Sequence, residues 1–280
     1  MLKKLLRGLG ITVAFVVLSF FSYLTYDSVM YGETAYSGGQ EDIECNVVGL
    51  DLHGTIATYI PVLGSADDPE EYQNQYGDAV ASEDIVAILE EAEQNDQIKG
   101  VMLDIESSGG YAISGEEIAN ALKEMTKPTV AVIRGQGLSA AYWAATGADK
   151  IFASRNSDVG SIGVTQSYVE YVGKNEEEGL KYVQLSAGKF KDAGDPDKPL
   201  TEEEKAIFVR DLKIMHENFI QDVAVNRKLA VERVTEIADG SSVLGEKAKE
   251  LELIDEIGSW TEAEKYLEDK VGEKTEICWY

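Results

Sequence analysis

Histidine, cysteine and basic residues are scarce in this 280-residue chain, and each shortage argues against a class of function. With only two histidines, His53 and His216, a Ser-His-Asp triad has few candidates. The two cysteines, Cys45 and Cys278, have no Cys or His at metal-ligand spacing, which argues against a zinc site. The 25 basic residues face 51 acidic ones, and a net charge of −26 argues against a nucleic-acid partner.

The two cysteines flank almost the whole region that follows the N-terminal apolar run. An extracytoplasmic compartment would permit a disulfide between Cys45 and Cys278, which would then act as a staple between the two ends of that region. Two free thiols are the alternative. The sequence by itself leaves both open.

Residues 8–26 contain no charged side chain and read as a membrane-spanning helix. At about 1.5 Å per residue they span about 28 Å, close to the thickness of the hydrocarbon core of a bilayer. The basic residues of segment 1–7 precede them, so the positive-inside rule predicts a cytoplasmic N-terminus and an extracytoplasmic remainder. A cleaved signal peptide is the rival interpretation, but its apolar stretch is usually shorter, and no convincing small-x-small cleavage site follows the run. We expect a single-pass protein of the cell membrane.

The rest of the chain divides into a linker at 27–44, an extracytoplasmic domain at 45–270 and a tail at 271–280. Within the domain, apolar strand patterns alternate with helical patterns. This alternation predicts the α/β class, with a mostly parallel sheet flanked by helices. Segments 46–52 and 55–59 look like two paired strands, and we expect capping boxes at Ser114/Glu117 and at Thr201/Glu204.

Ser139 is the candidate nucleophile. It lies in Gly135-Gln-Gly-Leu-Ser-Ala-Ala-Tyr-Trp143, directly after the apolar run 128–133. The pattern predicts a buried strand, a glycine turn and a small-residue helix with the serine in its first turn. A hydroxyl at that place faces free N–H groups and the positive end of the helix dipole, which favour developing negative charge.

Lys191 is the candidate general base. It lies in the glycine-flanked loop Ser186-Ala-Gly-Lys-Phe-Lys-Asp-Ala-Gly194, and with so few histidines a lysine is the better partner for a nucleophilic serine. A lysine that acts as a base must be neutral, and burial in an apolar pocket favours the neutral form. Ser161 could orient the amine through a hydrogen bond.

Backbone N–H groups of Gly110 and Ala140 are the candidate oxyanion hole. Gly110 ends the segment Glu106-Ser-Ser-Gly-Gly110, which follows a predicted strand, and Ala140 follows the serine. Glycines at a strand end let the backbone approach a ligand closely, and ligands of parallel sheets bind beyond the carboxyl ends of the strands. Taken alone, a Gly-Gly pair is usually only a turn, and most lysines are only solvated charges.

Several motifs in this order resemble the signal peptide peptidase A family of membrane-anchored serine–lysine proteases. The resemblance covers about residues 45 to 265 and rests on Ser-Ser-Gly-Gly110, Gly-Leu-Ser-Ala-Ala-Tyr-Trp143, Asp158-Val-Gly-Ser-Ile-Gly-Val164, Ser-Ala-Gly-Lys-Phe-Lys-Asp-Ala-Gly194 and Ala238-Asp-Gly-Ser-Ser-Val-Leu-Gly245. Three positions depart from the family pattern: Ser139-Ala-Ala replaces Ser-Gly-Gly, Ser-Ser-Gly-Gly replaces Ser-Pro-Gly-Gly, and Ser241 replaces an arginine.

The resemblance implies a fold similar to the Clp protease and crotonase superfamily. It implies Ser139 as nucleophile, Lys191 rather than Lys189 as general base, and Ser161 as the residue that positions the amine. It also implies a ring-like homo-oligomer in which serine and lysine meet across subunit boundaries. The implied substrates are cleaved signal peptides and other membrane-associated polypeptides, bound extended with small or apolar side chains.

The sequence therefore predicts a membrane-anchored serine endopeptidase that uses a Ser/Lys dyad and needs neither cofactor nor metal. Its expected partners are copies of itself, peptide substrates and, through the N-terminal anchor, membrane lipid. A catalytically inactive scaffold or quality-control adaptor of the same fold is the alternative. An acyl-CoA enzyme of the crotonase type is a weaker one, because a membrane anchor and a lysine base suit it poorly.

Overall fold

The computed structural model describes residues 45–61 and 76–280. The predicted cytoplasmic segment 1–7, membrane helix 8–26 and linker 27–44 lie outside this range. Among the residues that are described, no helix combines the length and the apolar character needed to cross a membrane.

Nine strands and eight helices alternate along the described residues. The strands are β1 (Val47–Ala57), β2 (Ala79–Ala81), β3 (Gly100–Gly110), β4 (Thr129–Leu138), β5 (Lys150–Ala153), β6 (Asp158–Gly160), β7 (Ser242–Leu244), β8 (Glu256–Ile257) and β9 (Ile277–Trp279). The helices are α1 (Ser82–Gln94), α2 (Ala112–Glu124), α3 (Ala140–Ala145), α4 (Val172–Glu177), α5 (Glu202–Arg227), α6 (Val231–Ile237), α7 (Gly245–Glu250) and α8 (Trp260–Val271).

All nine strands belong to one sheet, whose central order is β2-β1-β3-β4-β5-β8. β9 pairs with the beginning of β1, and β6 continues the edge of β4 beyond β5. Every pairing is parallel except that of β6 with β7, which is antiparallel. The prediction of a mostly parallel sheet is confirmed, and the sheet is mixed through this one pair.

The sheet carries an apolar core on each face, because successive side chains of a strand point to opposite sides. The larger core joins Leu50, Leu103 and Ile133 to buried residues of α1, α2, α3 and α5. The smaller core lies on the other face, where Met102 and Val132 pack against α8. α3, which follows Ser139, is therefore packed on the face with the larger core.

Two local expectations are wrong. Segments 46–52 and 55–59 are not paired strands but parts of the single strand β1, which carries an irregularity between His53 and Thr55. At that irregularity Gly54 has φ of 72°, and a Cβ there would lie 1.6 Å from the carbonyl oxygen of Asp78. The glycine between the two apolar runs thus marks a bulge within one strand.

The capping box at Ser114 does not form. α2 begins earlier, and Ser114 is a fully buried residue inside it, while Glu117 accepts a hydrogen bond from Ser82 of α1 instead. The box of Thr201 and Glu204 is confirmed at the start of α5. Packing between two helices overrides the local capping signal in the first case. In the second case Glu204 keeps its bonds to Thr201 with one oxygen and accepts a bond from Lys198 with the other.

A disulfide joins Cys45 to Cys278, with a Cα–Cα distance of 5.7 Å. It resolves the alternative that the sequence leaves open. The bond ties the beginning of β1 to β9, so the last ten residues, predicted as a tail, include a strand of the sheet.

The segment 164–200, which we call the arm, differs from the rest of the described chain. None of its residues is buried, and its only helix is the short α4. Several hydrogen bonds join parts of the arm to each other, as when the Tyr171 N–H donates to the Pro196 carbonyl oxygen at 2.8 Å, and Lys198 bonds to Glu204 of α5. The arm carries Lys191.

Candidate functional site

Ser139 stands at the junction of β4 and α3. Gly135 and Gly137 belong to the strand rather than to a turn, and Ser139 caps the helix rather than lying in its first turn, so both local expectations are corrected. Its φ is 52° and its ψ is −123°, a conformation that side-chain-bearing residues rarely adopt. Strain of this kind persists only where surrounding contacts hold it, and it is frequent at functional sites.

Backbone hydrogen bonds hold this junction on both sides. The Ser139 N–H donates to the Gly160 carbonyl oxygen of β6 at 2.8 Å, and the Ser139 carbonyl accepts from the Trp143 N–H at 2.9 Å. The half-buried hydroxyl makes no hydrogen bond to any described residue. Both backbone polar groups of Ser139 are thus engaged, while the described residues leave its hydroxyl oxygen without a partner.

Two large side chains anchor α3 beneath the serine. The Trp143 ring stacks on Phe219 of α5 with a centroid distance of 4.4 Å, and its Nε1–H donates to Asp222 at 3.1 Å. The Tyr142 hydroxyl donates to the Leu253 carbonyl oxygen at 2.8 Å, and burial raises the pKa of this tyrosine. The helix that positions Ser139 is therefore fixed to two other segments of the chain, α5 and the segment that contains Leu253.

Of two consecutive glycines in β3, Gly109 approaches the serine. A Cβ at Gly109 would lie 2.9 Å from the Ser139 Cβ and 3.1 Å from the Ala140 nitrogen, so only glycine leaves the Ala140 N–H uncovered. That N–H has no hydrogen-bond partner among the described residues. The Tyr111 N–H donates to Ile56 of β1, so the preceding N–H, that of Gly110, points away from β1.

An open cleft of about 850 Å³ runs past the serine. It brings together four of the five predicted site residues, namely Gly110, Ser139, Ala140 and Ser161. The remaining walls come from the start of α2, the segment after β6, one side of α5 and the turn at Ala238–Gly240.

Ser161 has a backbone like that of Ser139. Its φ is 51°, its N–H donates to the Ser241 carbonyl oxygen at 3.1 Å, and its hydroxyl donates to the Gly240 carbonyl oxygen at 2.9 Å. With its proton committed, the hydroxyl oxygen keeps lone pairs that can accept a hydrogen bond from an amine. Ser241, which departs from the family pattern, contributes here only its backbone carbonyl.

Lys191 is the predicted residue that the chain does not bring into the cleft. Its side chain is exposed, and its ammonium has no hydrogen bond or ion pair to the described residues. The neighbouring Lys189 instead forms an ion pair with Glu203 of α5 at 2.7 Å. Of the two lysines in this loop, Lys191 is therefore the one whose amine is free.

His216 was overlooked in the sequence as a site residue, yet it lines the cleft. It lies on α5, one turn from the Phe219 that stacks on Trp143. Its Nε2 is enclosed and has no hydrogen-bond partner among the described residues. A lone histidine in the middle of a long helix carries no signal of this placement.

The profile of peptidase family S49 matches residues 121–274, which is more than half of the chain and includes Ser139, Ser161 and Lys191. The chain belongs to peptidase family S49. This confirms the family that the motifs predict. The Clp protease profile also matches, over residues 72–160, so this S49 chain has a Clp protease-like α/β fold with flanking helices.

Three relatives illustrate the similarity of this S49 chain to known proteins. A relative named as a protease in Methanocaldococcus jannaschii is 37% identical over 65% of this chain and 60% of its own length. One named for signal peptide peptidase SppA in Enterococcus faecium is 29% identical over 76% of this chain and 60% of its own. Protease 4 of Haemophilus influenzae is 27% identical over 76% of this chain. The alignments span 60% of the first two relatives and 34% of the third.

A polar cluster lies on the sheet face opposite the larger core. The buried Asp104 carboxylate accepts hydrogen bonds from Arg134 at 3.0 Å, from Trp260 at 3.0 Å and, through the same oxygen as Arg134, contacts His53 at 3.2 Å. Asp51, His53 and Asp104 could offer ligand atoms within 4.8 Å of one another. Because the Arg134 guanidinium already neutralises Asp104, the cluster in this S49 chain ties β1, β4 and α8 together.

Proposed function

We propose that the chain is a serine endopeptidase in which Ser139 attacks the peptide carbonyl and Lys191 serves as general base. The observation that carries this proposal is the free hydroxyl of Ser139 at a strained strand-to-helix junction on the edge of an open cleft. Nucleophilic serines need such an exposed oxygen on a rigid support, next to groups that bind the oxyanion.

In this mechanism the Ser139 oxygen forms a bond to the carbonyl carbon as the neutral Lys191 amine takes the hydroxyl proton. The oxyanion of the tetrahedral intermediate is held by the N–H groups of Gly110 and Ala140. When the intermediate collapses, the ammonium returns its proton to the leaving amine. Water then hydrolyses the acyl-enzyme by the same route, with Lys191 again accepting a proton.

The base is supplied by a neighbouring subunit. Lys191 lies outside the cleft of its own chain, on an arm with no buried residue, and its amine is free. Insertion of the arm into the cleft of the next copy would bury the amine beside Ser161, whose oxygen would accept a hydrogen bond from it. Repetition of this head-to-tail contact closes a ring.

The arm also carries the apolar surface that such an assembly would cover. Among its exposed side chains are Leu185, which is 93% exposed, and Val183, which is 65% exposed. Large apolar side chains exposed close together in the chain, on an otherwise acidic protein, suit a subunit interface.

Substrates bind in extended form. The backbone of residues 163–170 makes no hydrogen bond within the described part of the chain, and residues 163–166 line the cleft. Such a segment can pair with an added peptide strand. The substrate class is cleaved signal peptides and other membrane-associated polypeptides, which reach the site because residues 8–26 anchor the protein in the membrane. The disulfide fits an extracytoplasmic, oxidising location of the domain.

The test is subunit mixing. Ser139→Ala and Lys191→Ala proteins should each be inactive, and mixing them under conditions that allow subunit exchange should restore part of the activity. A matched control replaces the second partner by the double variant Ser139→Ala/Lys191→Ala, which contains no intact serine and should restore nothing. No recovery despite demonstrated exchange would place both residues within one subunit.

A catalytically inactive scaffold is the second candidate, favoured by the absence of Lys191 from the cleft of its own chain. A serine-reactive fluorophosphonate distinguishes the two. Labelling that requires both Ser139 and Lys191 identifies an enzyme. An oligomer that assembles normally but is never labelled identifies a scaffold.

A further inference from the structure

One side of α5 forms a wall of the cleft. Its contributing residues recur at helical spacing and are mostly apolar: Leu212, Met215, His216 and Phe219. Phe219 is 1% exposed and stacks on Trp143, so this part of the wall is rigid. Because α3 begins directly after Ser139, the wall has a fixed position relative to the nucleophile.

His216 is the polar side chain in this wall. Its Nε2 is enclosed and has no partner within the described residues. An enclosed polar atom without a partner is unfavourable, and native structures keep such atoms chiefly where function uses them. Since rotation of an imidazole about its Cβ–Cγ bond has broad preferences, a modest turn of the ring can bring this nitrogen to a ligand in the cleft.

A bound peptide strand would supply that ligand. A strand that pairs with residues 163–166 presents alternate side chains to opposite sides, and the cleft that receives them has α5 as a wall. The apolar part of one substrate side chain would then contact Leu212 and Met215, and its terminal group would contact His216.

We propose that His216 is a specificity-determining residue that hydrogen-bonds to the tip of one substrate side chain. The subsite would prefer a side chain with an apolar stem and a neutral hydrogen-bonding tip, such as Thr, Asn or Gln, over the purely apolar side chain of the same size. This inference rests on the proposed function and deepens it, because it adds a polar preference to a cleft that the sequence predicts to accept small or apolar side chains.

An acidic tip would be repelled by the cleft. Asp239 lines the same cleft, and hydrogen bonds from the Ser241 hydroxyl and N–H hold the pKa of Asp239 below its usual range. The carboxylate is therefore charged near neutral pH. Neutral imidazole can donate or accept at Nε2, which suits both hydroxyl and amide tips.

The experiment compares peptides that differ at one position in the pairs Thr/Val, Asn/Leu and Gln/Met. At one position the wild-type protein should cleave the polar member of a pair with about tenfold higher kcat/KM, the size expected for one hydrogen bond. His216→Leu should remove this preference and His216→Gln should keep part of it. His53→Leu is the matched control, since His53 does not line the cleft, and it should leave the preference unchanged.

Two further measurements separate this inference from the proposed function. The rate of fluorophosphonate labelling of Ser139 should be the same in wild type and His216→Leu, and loss of labelling in a folded His216→Leu protein would overturn a role in specificity. Binding of the same peptide pairs to Ser139→Ala, followed by fluorescence anisotropy, tests the preference without catalysis. If no position of the peptides shows the preference, or if His216→Leu retains it, the inference is wrong whatever the wild type cleaves.

Discussion

The strand–helix junction that carries Ser139 and the arm that carries Lys191 are built in opposite ways. At the junction, Ala140 and Trp143 are 2% exposed, and backbone bonds hold a strained residue in place. In the arm, no residue is buried, and the Lys191 ammonium forms no hydrogen bond or ion pair with the described residues. In the single chain, Ser139 of the proposed dyad is thus held rigidly, whereas Lys191 does not lie in the cleft.

This difference indicates that different contacts fix the junction and the arm. The junction is ordered by its own core, because Trp143, Phe219 and Tyr142 contact segments far away in the sequence. The arm has no such core, so we propose that the contacts that fix Lys191 come from another copy. Burial of the amine, which the chemistry requires, would then depend on assembly.

The largest expected effect comes from replacing either residue of the proposed dyad. Ser139→Ala and Lys191→Ala should each lower peptidase activity by at least about a thousandfold, because the nucleophile and its base act as a unit. Lys189→Ala should have a mild effect, since that lysine is engaged with Glu203. Activity is measured with a fluorogenic peptide, and circular dichroism checks the fold of each variant.

The pH profile gives a second view of the same pair. Activity should rise with pH along a single basic limb, because only a neutral amine accepts the serine proton. An essential Lys189 with a dispensable Lys191 would contradict the assignment. So would a limb in the range of an ordinary histidine that vanishes in His216→Leu.

Removal of the disulfide tests how much the bond between Cys45 and Cys278 contributes to the stability of the domain. Cys45→Ala/Cys278→Ala should lower the free energy of unfolding by about 2–4 kcal/mol, because the bond closes a loop with a sequence separation of 233. Urea unfolding of the oxidised wild type and the variant measures the loss. Equal stability of the two proteins would mean that β9 is held by its pairing with β1 alone.

Two helical glycines allow a matched comparison between the arm and the part of the domain outside it. A Cβ at Gly115 of α2 would lie 2.4 Å from the Ala140 carbonyl oxygen, whereas a Cβ at Gly173 of α4 would meet nothing within 4 Å. Gly115→Ala should therefore cost about 1–3 kcal/mol of stability and slow fluorophosphonate labelling of Ser139. Gly173→Ala should be neutral or stabilise by up to about 1 kcal/mol. Similar effects of the two substitutions on unfolding would contradict the contrast.

The smallest expected effect concerns the junction between the end of the arm and the start of α5. Hydrogen bonds from Lys198 and then from Thr201 lower the pKa of Glu204 from its usual 4.5 to about 2. This contribution to stability is present above about pH 4.5 and is lost as the pH falls towards 2. Glu204→Gln should flatten the dependence of the unfolding midpoint on pH in that window, while leaving its slope near pH 7 unchanged. An unaltered profile would show that the stability of this junction does not depend on the charge of Glu204.

Local patterns in the sequence predicted most of the fold and four residues of the cleft. The strand before Ser139, the helix after it, the capping box at Thr201 and the alternation of strands and helices follow from side chains that are close together in the chain. The same reasoning failed where packing overrides local preference. At Gly54 the strand continues through a bulge, and at Ser114 the helix continues through a capping signal.

What the sequence by itself determined is the α/β class and the family, and it singled out Ser139 with its neighbouring N–H groups and a lysine as the proposed base. What only the tertiary structure decided depends on distant partners: the cysteine pairing, the approach of Gly109 to Ser139, the engagement of Lys189 with Glu203 and the place of His216 in the cleft. Periodicity and capping act within a few residues and leave a local trace in the sequence. Contacts between distant segments form only when the whole chain packs, and these residues carry no local trace of them.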